Sequence, residues 1–579
     1  MIRRSFVPPS PEAQAVLPVL PLRPVGPEFR KTFLFAAPLG FLRASALSFL
    51  CFFVLVALPA SAPAQVTYDQ ILHSADSPSN WLQYAGTYDG HRYSSLSQIN
   101  RDNVSQLAAQ WIFQTPQPGS FENTPLVVNG IMYVTAPEDL AFALDAHTGR
   151  KLWAYKRALP EKLRACCGHT NRGFAILGTR LFLATLDAHV VALDSATGNV
   201  LWDVQAADYA QGYAFTVAPL VVKDKVIVGV SGGEYGIRGF IDAYDVATGK
   251  RVWRFYTIPA PGEPGSDTWS SPEAAARGGA PAWVTGTYDP GLNLLYWPTG
   301  NPSPSDDGSG RKGDNLYSNS ILALNPDTGK LQWYFQFTPF DLHDWDATEV
   351  PVLLDTELDG KPRKLLLHAN RNGFFYVLDR TNGKFLFAKP FAKQTWAKGI
   401  DVSGKPILLD TPQPGETEGV PTCPGAAGAT NWMPPSYSPQ TGLLYVTARE
   451  QCDVFYTHPQ HFVEGRLFLG SMYVPSTKVK DWGAVRAIDP KTGDIRWEYK
   501  EFSATWAGNL STAGHLVFTG DLEGNFIALD ADTGKPLWHI QTGSAIYAPP
   551  ITFELDGRQY VSISSGALLL TFALPAQAR

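Results

Sequence analysis

A chain of 579 residues with 45% hydrophobic content is long enough to bury a large core, and length alone allows about three or four domains. Only 17% of the residues are charged and the formal net charge is −6, which argues against a nucleic-acid partner. The 51 glycines and 46 prolines, beside 16 tryptophans and 23 tyrosines, point to many short strands and tight turns and away from helical bundles.

The first stretch does not belong to the fold. Residues 43–65 (RASALSFLCFFVLVALPASAPAQ) combine Arg43, a short apolar run from about Ala46 to Leu58, and small-residue sites near Ala62 and Ala64. That is the pattern of a secretory signal peptide, and the run is short for a transmembrane helix of about 20 residues. An uncleaved membrane anchor is the alternative. Residues 1–64, including the proline-rich 1–42, are therefore set aside as leader, and 65–579 are expected to form one domain.

QLAAQWIFQT (107–116) then offers an isolated strand carrying Trp111. It precedes an eleven-residue pattern found seven times: ALDAHTGRKLW (143–153), ALDSATGNVLW (192–202), AYDVATGKRVW (243–253), ALNPDTGKLQW (323–333), VLDRTNGKFLF (377–387), AIDPKTGDIRW (487–497) and ALDADTGKPLW (528–538). Each reads as strand, turn, strand. Asp or Asn opens the turn through its side chain, Gly takes the left-handed position and an aromatic residue closes the unit. A further hairpin precedes each copy, as in APLVVKDKVIVGV (218–230), making four strands per unit, the blade of a β-propeller. After Trp538 the chain supplies strands without a closing motif (547–574), and these are expected to join 107–116 as an eighth blade. The fold class is thus all-β, an eight-bladed β-propeller closed by its own termini, with the tryptophans wedged between blades. Motif glycines Gly249 and Gly329 are 80 residues apart, and Gly383 and Gly493 are 110 apart, against about 50 elsewhere. The surplus, including 302–315 and 410–425, is expected to form long loops on one face, where function usually sits.

Residues 164–173 read RACCGHTNRG. Neighbouring Cα atoms are about 3.8 Å apart, below the usual disulfide range of roughly 4.4–6.8 Å, so from the pair alone Cys166 and Cys167 read either as unbonded thiols or as a strained small ring. With Cys51 in the leader, four cysteines remain (Cys166, Cys167, Cys423, Cys452), an even number that permits two disulfides after export. No CxxCH is present, so no covalent haem is encoded. Four loop segments collect polar residues: SGGEYGIRG (231–239) with Glu234, WPTGNPSP (297–304) with Asn301, TPFDLHDWDATE (338–349) with Asp341, His343, Asp344, Asp346 and Glu349, and HANRNGFFYVLDR (368–380) with Arg371. Each has an ordinary reading as turn chemistry or a solvated rim. Together they offer hard oxygen ligands suited to Ca²⁺ or a similar large cation and unsuited to zinc.

The tryptophan repeats, the CC pair followed by NRG, SGGEYGIRG, YWPTGNPSP and the HDWD segment resemble the pyrroloquinoline quinone (PQQ)-dependent alcohol dehydrogenases, the family of methanol and ethanol dehydrogenase large subunits, over nearly all of residues 68–575. The resemblance implies that Cys166–Cys167 forms a vicinal disulfide against one face of PQQ and that Trp283 stacks on the other. It implies that Glu122, Arg172, Thr216, Ser231 with Gly232 and Gly233, and Arg371 hold the rim of the quinone, and that Asn431, Trp432 and Trp506 line the same chamber. It further implies a second disulfide, Cys423–Cys452, and a metal ion on Glu234, Asn301 and Asp344. Asp344 is then the catalytic base, and Arg371 hydrogen-bonds the developing oxyanion. Asp346 stands where lanthanide-dependent members carry an Asp and calcium members usually lack a carboxylate, so a lanthanide is favoured over Ca²⁺; one more anion offsets a trivalent charge. Two departures are Gly168–His169, where an acidic residue usually follows the pair, and Pro281, where a hydroxyl is common.

The expected activity is a periplasmic oxidation of primary alcohols, with electrons passed to a soluble cytochrome c. The alternatives are a non-enzymatic envelope scaffold built on the same repeats and a related quinoprotein acting on sugars or polyols. Homodimerisation is left open.

Overall fold

The computed structural model describes residues 65–575. The expected leader, 1–64, lies outside the described residues. Among them, no helix is long and apolar enough to cross a membrane. The described residues are all-β with few short helices, and form seven four-stranded sheets, one five-stranded sheet and two smaller ones.

The repeats are hairpins because their turns are satisfied locally. In the first, the Asp145 carboxylate accepts from the backbone N–H groups of His147 (2.9 Å) and Thr148 (3.1 Å), and Gly149 closes back to the Asp145 carbonyl with φ 70°. Asp194, Asp245, Asn325 and Asp530 accept from the corresponding amides of their own turns. The strand entering each turn is buried and the one leaving it is half exposed: Leu140–Asp145 is buried almost throughout, whereas Lys151–Lys156 alternates. The first, inner strands therefore supply the core and the last strand forms a wetted rim.

Tryptophans tie successive sheets together. Trp111, Trp153, Trp202, Trp253 and Trp497 donate their indole N–H to the turn carbonyls of Ala146 (3.0 Å), Ser195 (3.0 Å), Val246 (3.2 Å), Pro326 (2.9 Å) and Ala531 (3.0 Å). Each ring lies on the glycine of the turn it reaches. A Cβ at Gly198 would stand 2.7 Å from the Trp153 ring, so the close approach requires glycine at the position that also needs a positive φ.

The two ends of the repeat region meet. Ala108–Gln114 pairs antiparallel with Leu568–Ala573, completing the sheet of Ile551–Leu555 and Arg558–Ser565. Tyr93–Ser94 adds a parallel pairing to Leu510–Thr512 that sequence patterning did not suggest. The 110-residue interval before Gly493 is more than loop. It builds a three-stranded sheet from Val420–Thr422, Asp453–Thr457 and Ser471–Pro475, beside the Cys423–Cys452 disulfide. Segment 302–315 is irregular yet packed. Arg311, 1% exposed, holds it by donating to the carbonyls of Pro304, Ser305 and Asp341 and to Asn315 Oδ1.

Candidate active site

One cavity of about 260 Å³ collects side chains from loops of several sheets. It is lined by Glu122, Cys166, Cys167, Arg172, Thr216, Ser231, Gly232, Glu234, Trp283, Asp344, Asp346, Arg371, Asn431, Trp432 and Trp506, residues separated by up to hundreds of positions in sequence. Cys166 and Cys167 are joined as a disulfide between adjacent residues.

Its apolar walls are flat. Trp432 and Trp506 stack at 4.5 Å and 9°, and Trp283 meets Trp432 at 6.4 Å and 62°. The Arg172 guanidinium stands 4.7 Å from the Trp283 ring and 5.3 Å from Trp432. Arg172 also donates to Glu122 Oε2 (2.5 Å) and to the Thr216 carbonyl (3.2 Å), and the Thr216 and Ser231 hydroxyls share a hydrogen bond of 3.0 Å. Arg371 donates to the Asp344 carbonyl (2.7 Å) and to Asn431 Oδ1 (2.9 Å), with Asp344 Oδ2 at 3.8 Å and Asp346 Oδ2 at 3.4 Å.

The acids are under stress. Glu122, Glu234, Asp344 and Asp346 face only two guanidinium groups, so four ionised carboxylates would leave negative charge unbalanced. Burial first, then Asp346, holds the Asp344 carboxyl well above the usual range, with Arg371 pulling the other way. Burial likewise pushes Glu234 up to about 7. Asp344 sits at φ 60°, a left-handed backbone that turns its side chain to the cavity while its neighbours face elsewhere. Asp341 accepts from the amides of His343 and Trp345, His343 stacks on Trp345 at 4.2 Å, and Glu349 Oε2 lies 3.0 Å from His368 Nε2. None of the three lines the cavity.

Asp346 is 3% exposed and heavily engaged. Its Oδ2 accepts from Trp283 Nε1 (2.7 Å) and Thr348 Oγ1 (3.3 Å), and its Oδ1 accepts from the Asn301 amide. It thereby fixes the Trp283 ring. Asn301 and Gly233 do not line the cavity wall; Asn301 lies immediately behind Asp346, 0% exposed, and its Oδ1 has no hydrogen-bond partner. A buried orphan acceptor beside an excess of carboxylates is the donor chemistry a hard cation satisfies. Among the described residues, carboxylate oxygens of Glu234, Asp344 and Asp346 do not all lie within 4.8 Å of one another. The His, Cys, Asp and Glu ligand atoms that do lie within 4.8 Å of one another are those of Cys166, Cys167 and Glu234. Asp346 is held by its hydrogen bonds from Trp283 Nε1 and the Asn301 backbone N–H.

Tyr473 and the small residues Ala426 and Ala427 also line the cavity without having been singled out in sequence. Tyr473 arrives on the edge strand Ser471–Pro475 of the small sheet. The run SMYVP between polar turns was the available signal, but its position over the cavity depends on a pairing to Asp453–Thr457.

Comparison with known proteins agrees with these features. Residues 81–399 and 482–561 match the family model for PQQ, "Glucose/ethanol/alcohol dehydrogenase, beta-propeller domain". The chain is 41% identical over 537 residues to quinoprotein alcohol dehydrogenase PedH of Pseudomonas putida, covering 88% of this chain and 90% of that protein. It is 38% identical over 555 residues to a quinoprotein ethanol dehydrogenase of the same species, covering 88% and 89%. Among solved structures, a europium-containing methanol dehydrogenase superposes with a TM-score of 0.83 at 35% identity, covering 87% of this chain and 100% of that one. With repeats, cavity and these matches in agreement, the chain belongs to the PQQ-dependent alcohol dehydrogenase family of β-propeller quinoproteins.

Proposed function

We propose that this protein oxidises primary alcohols to aldehydes using PQQ and one bound metal ion, a lanthanide in preference to Ca²⁺. The single observation that carries the reading is the cavity itself. A vicinal disulfide, the Trp283 ring, the Arg172–Glu122 pair and a carboxylate-rich wall converge on one space, with the orphaned Asn301 oxygen behind that wall. A planar, anionic, carbonyl-bearing molecule needs flat apolar faces and cationic or hydroxyl donors at its rim. Trp283 and Cys166–Cys167 supply the faces; Arg172, Thr216, Ser231 and Arg371 supply the donors. Glu234, Asn301, Asp344 and Asp346 would hold the cation.

When bound, PQQ supplies a two-electron acceptor and the cation a Lewis acid beside it. The chain's own part is proton and charge management. Asp344 takes the hydroxyl proton of the alcohol at its carboxylate. Burial and Asp346 favour its protonated, inactive form, and a cation restores the carboxylate. Arg371, anchored by the Asp344 carbonyl and Asn431, presents its guanidinium to an oxygen that gains charge. Trp283, Trp432 and Trp506 exclude water from the transfer.

The eight larger sheets are best read as blades of one closed ring, docked by their tryptophans and joined where Ala108–Gln114 meets Leu568–Ala573. The apolar leader supports export to the periplasm, and the lack of CxxCH supports a separate soluble cytochrome c as acceptor. The likeness to a europium-containing methanol dehydrogenase and the presence of Asp346 support the lanthanide. The test is reconstitution of the mature chain with PQQ and La³⁺ or Ca²⁺, following ethanol-dependent reduction of an artificial acceptor. Turnover only with PQQ is expected, faster with La³⁺. No PQQ binding with either metal would refute the reading and leave an envelope scaffold.

A further inference from the structure

Cys166 Sγ, Cys167 Sγ and a Glu234 carboxylate oxygen lie within 4.8 Å of one another, the one such set among the described residues. As a disulfide the two sulfurs are poor ligands. As thiolates they would be a strong pair, with a third, oxygen donor already in reach. We propose that reduction of Cys166–Cys167 converts this corner of the cavity into a binding site for a thiophilic divalent cation such as Zn²⁺ or Cd²⁺, held by both thiolates and Glu234.

The geometry suits such an ion. Zn–S bonds of about 2.3 Å and Zn–O bonds of about 2.0–2.2 Å in a tetrahedron place donors roughly 3.5–3.8 Å apart. The two sulfurs, bonded to each other here, therefore separate on reduction, while a Glu234 oxygen already lies within 4.8 Å of both. Two adjacent cysteines are ordinarily kept apart by alternating side-chain directions, but here Cys167 at φ 68° and Gly168 at φ 107° bend the chain so that both sulfurs face one space. Glu234 has no ion pair to compete for it among the described residues. Cys167 is exposed, so a reductant reaches the bond, whereas Cys423 and Cys452 are 6% and 3% exposed.

The chemistry balances with a small dithiol as reductant. Its thiolate attacks one sulfur, the mixed disulfide is resolved by its second thiol, and it leaves as a cyclic disulfide. Cys166 and Cys167 thereby gain two electrons and two protons, and the cation displaces both protons on binding. Thiolates select soft ions, and Ca²⁺ or a lanthanide prefers oxygen. Because Glu234 belongs to both ligand sets, the soft ion and the hard cation exclude each other. That last point rests on the proposed dehydrogenase site. It gives the disulfide a protective role, keeping thiophilic ions out of the carboxylate-rich cavity.

Cd²⁺ is titrated into the folded, PQQ-free chain before and after treatment with dithiothreitol and its removal, reading the thiolate-to-metal charge-transfer absorbance and the metal stoichiometry. Circular dichroism checks the fold of each sample. The reduced chain is expected to bind one Cd²⁺ with the band and the oxidised chain to lack the band. The reduced Cys166→Ser/Cys167→Ser variant, which keeps Cys423 and Cys452, is expected to lack it too. Glu234→Gln is expected to weaken binding by on the order of tenfold or more. The same band in the double serine variant, or unchanged affinity in Glu234→Gln, would overturn the site. Loss of the dehydrogenase reading would appear separately, as absent PQQ-dependent turnover with Cd²⁺ binding intact.

Discussion

Replacing Asp346 separates an electrostatic role from a structural one. The carboxylate takes hydrogen bonds from Trp283 Nε1, the Asn301 amide and Thr348 Oγ1, and faces Arg371 at 3.4 Å. In Asp346→Asn one of the two main donors keeps an acceptor and the other meets an amide N–H, so a buried donor goes unsatisfied at a cost of about 1–3 kcal/mol of stability. The charge effect is larger and depends on the metal. A unit of cation charge about 4 Å from a carboxylate is worth about 4 kcal/mol at an effective dielectric constant of about 20. La³⁺ carries one unit more than Ca²⁺, so preference for it falls by up to about 4 kcal/mol, near a thousandfold at about 1.4 kcal/mol per decade. Arg371 offsets part of this, and a loss of at least roughly tenfold in the La³⁺ to Ca²⁺ activity ratio is expected. The assay compares wild type, Asp346→Asn and Asp346→Ala in ethanol-dependent acceptor reduction at saturating PQQ, with thermal melts alongside. An equal loss in both metals would assign Asp346 to holding Trp283 alone. Unchanged La³⁺ activity in Asp346→Ala would refute its place at the cation.

With Glu234 pushed up to about 7 and the Asp344 carboxyl held well above the usual carboxylate range, a cation binding here displaces a proton that Glu234 carries near neutrality. Its affinity is expected to rise by up to about tenfold per unit of pH and per proton displaced between pH 6 and 8, read by calorimetric titration; a flat profile contradicts the assignment. The inter-sheet packing is tested by two glycines with similar backbone angles. Gly198→Ala (φ 74°) forces a methyl against the Trp153 ring, whereas Gly442→Ala (φ 69°) meets no atom within 4 Å. Both carry left-handed strain of about 1 kcal/mol, and the first is expected to lose about 1–3 kcal/mol more in denaturant unfolding; equal losses would remove the tryptophan from the account.

The repeat was legible because its causes are local. Asp145 bonds amides two and three residues ahead, and Gly149 supplies one backbone angle, so composition and spacing over eleven residues suffice. The meeting of 107–116 with 547–574 was also readable, since an unclosed hairpin and an isolated strand each lacked a partner. Much of the cavity was legible through resemblance, including Trp283, Arg172, Arg371 and the vicinal cysteines. Spacing alone could not rank Asp341, His343, Asp344, Asp346 and Glu349, which are neighbours in sequence. Their separation comes from the left-handed turn at Asp344, with Asp341 accepting from backbone amides and Glu349 buried beside His368.

The strand-turn-strand units, their number and the kinds of side chain available to the site follow from the order of residues along the chain. That Asp346 locks Trp283, that Asn301 stands behind the wall with an unpartnered oxygen, and that Tyr473 reaches the cavity from a small sheet formed by the long insertion follow from packing. The two differ in range. A turn's hydrogen bonds close within a few residues and leave a periodic trace, whereas these contacts join segments tens to hundreds of residues apart and exist only once the packed sheets bring them to one end of the fold.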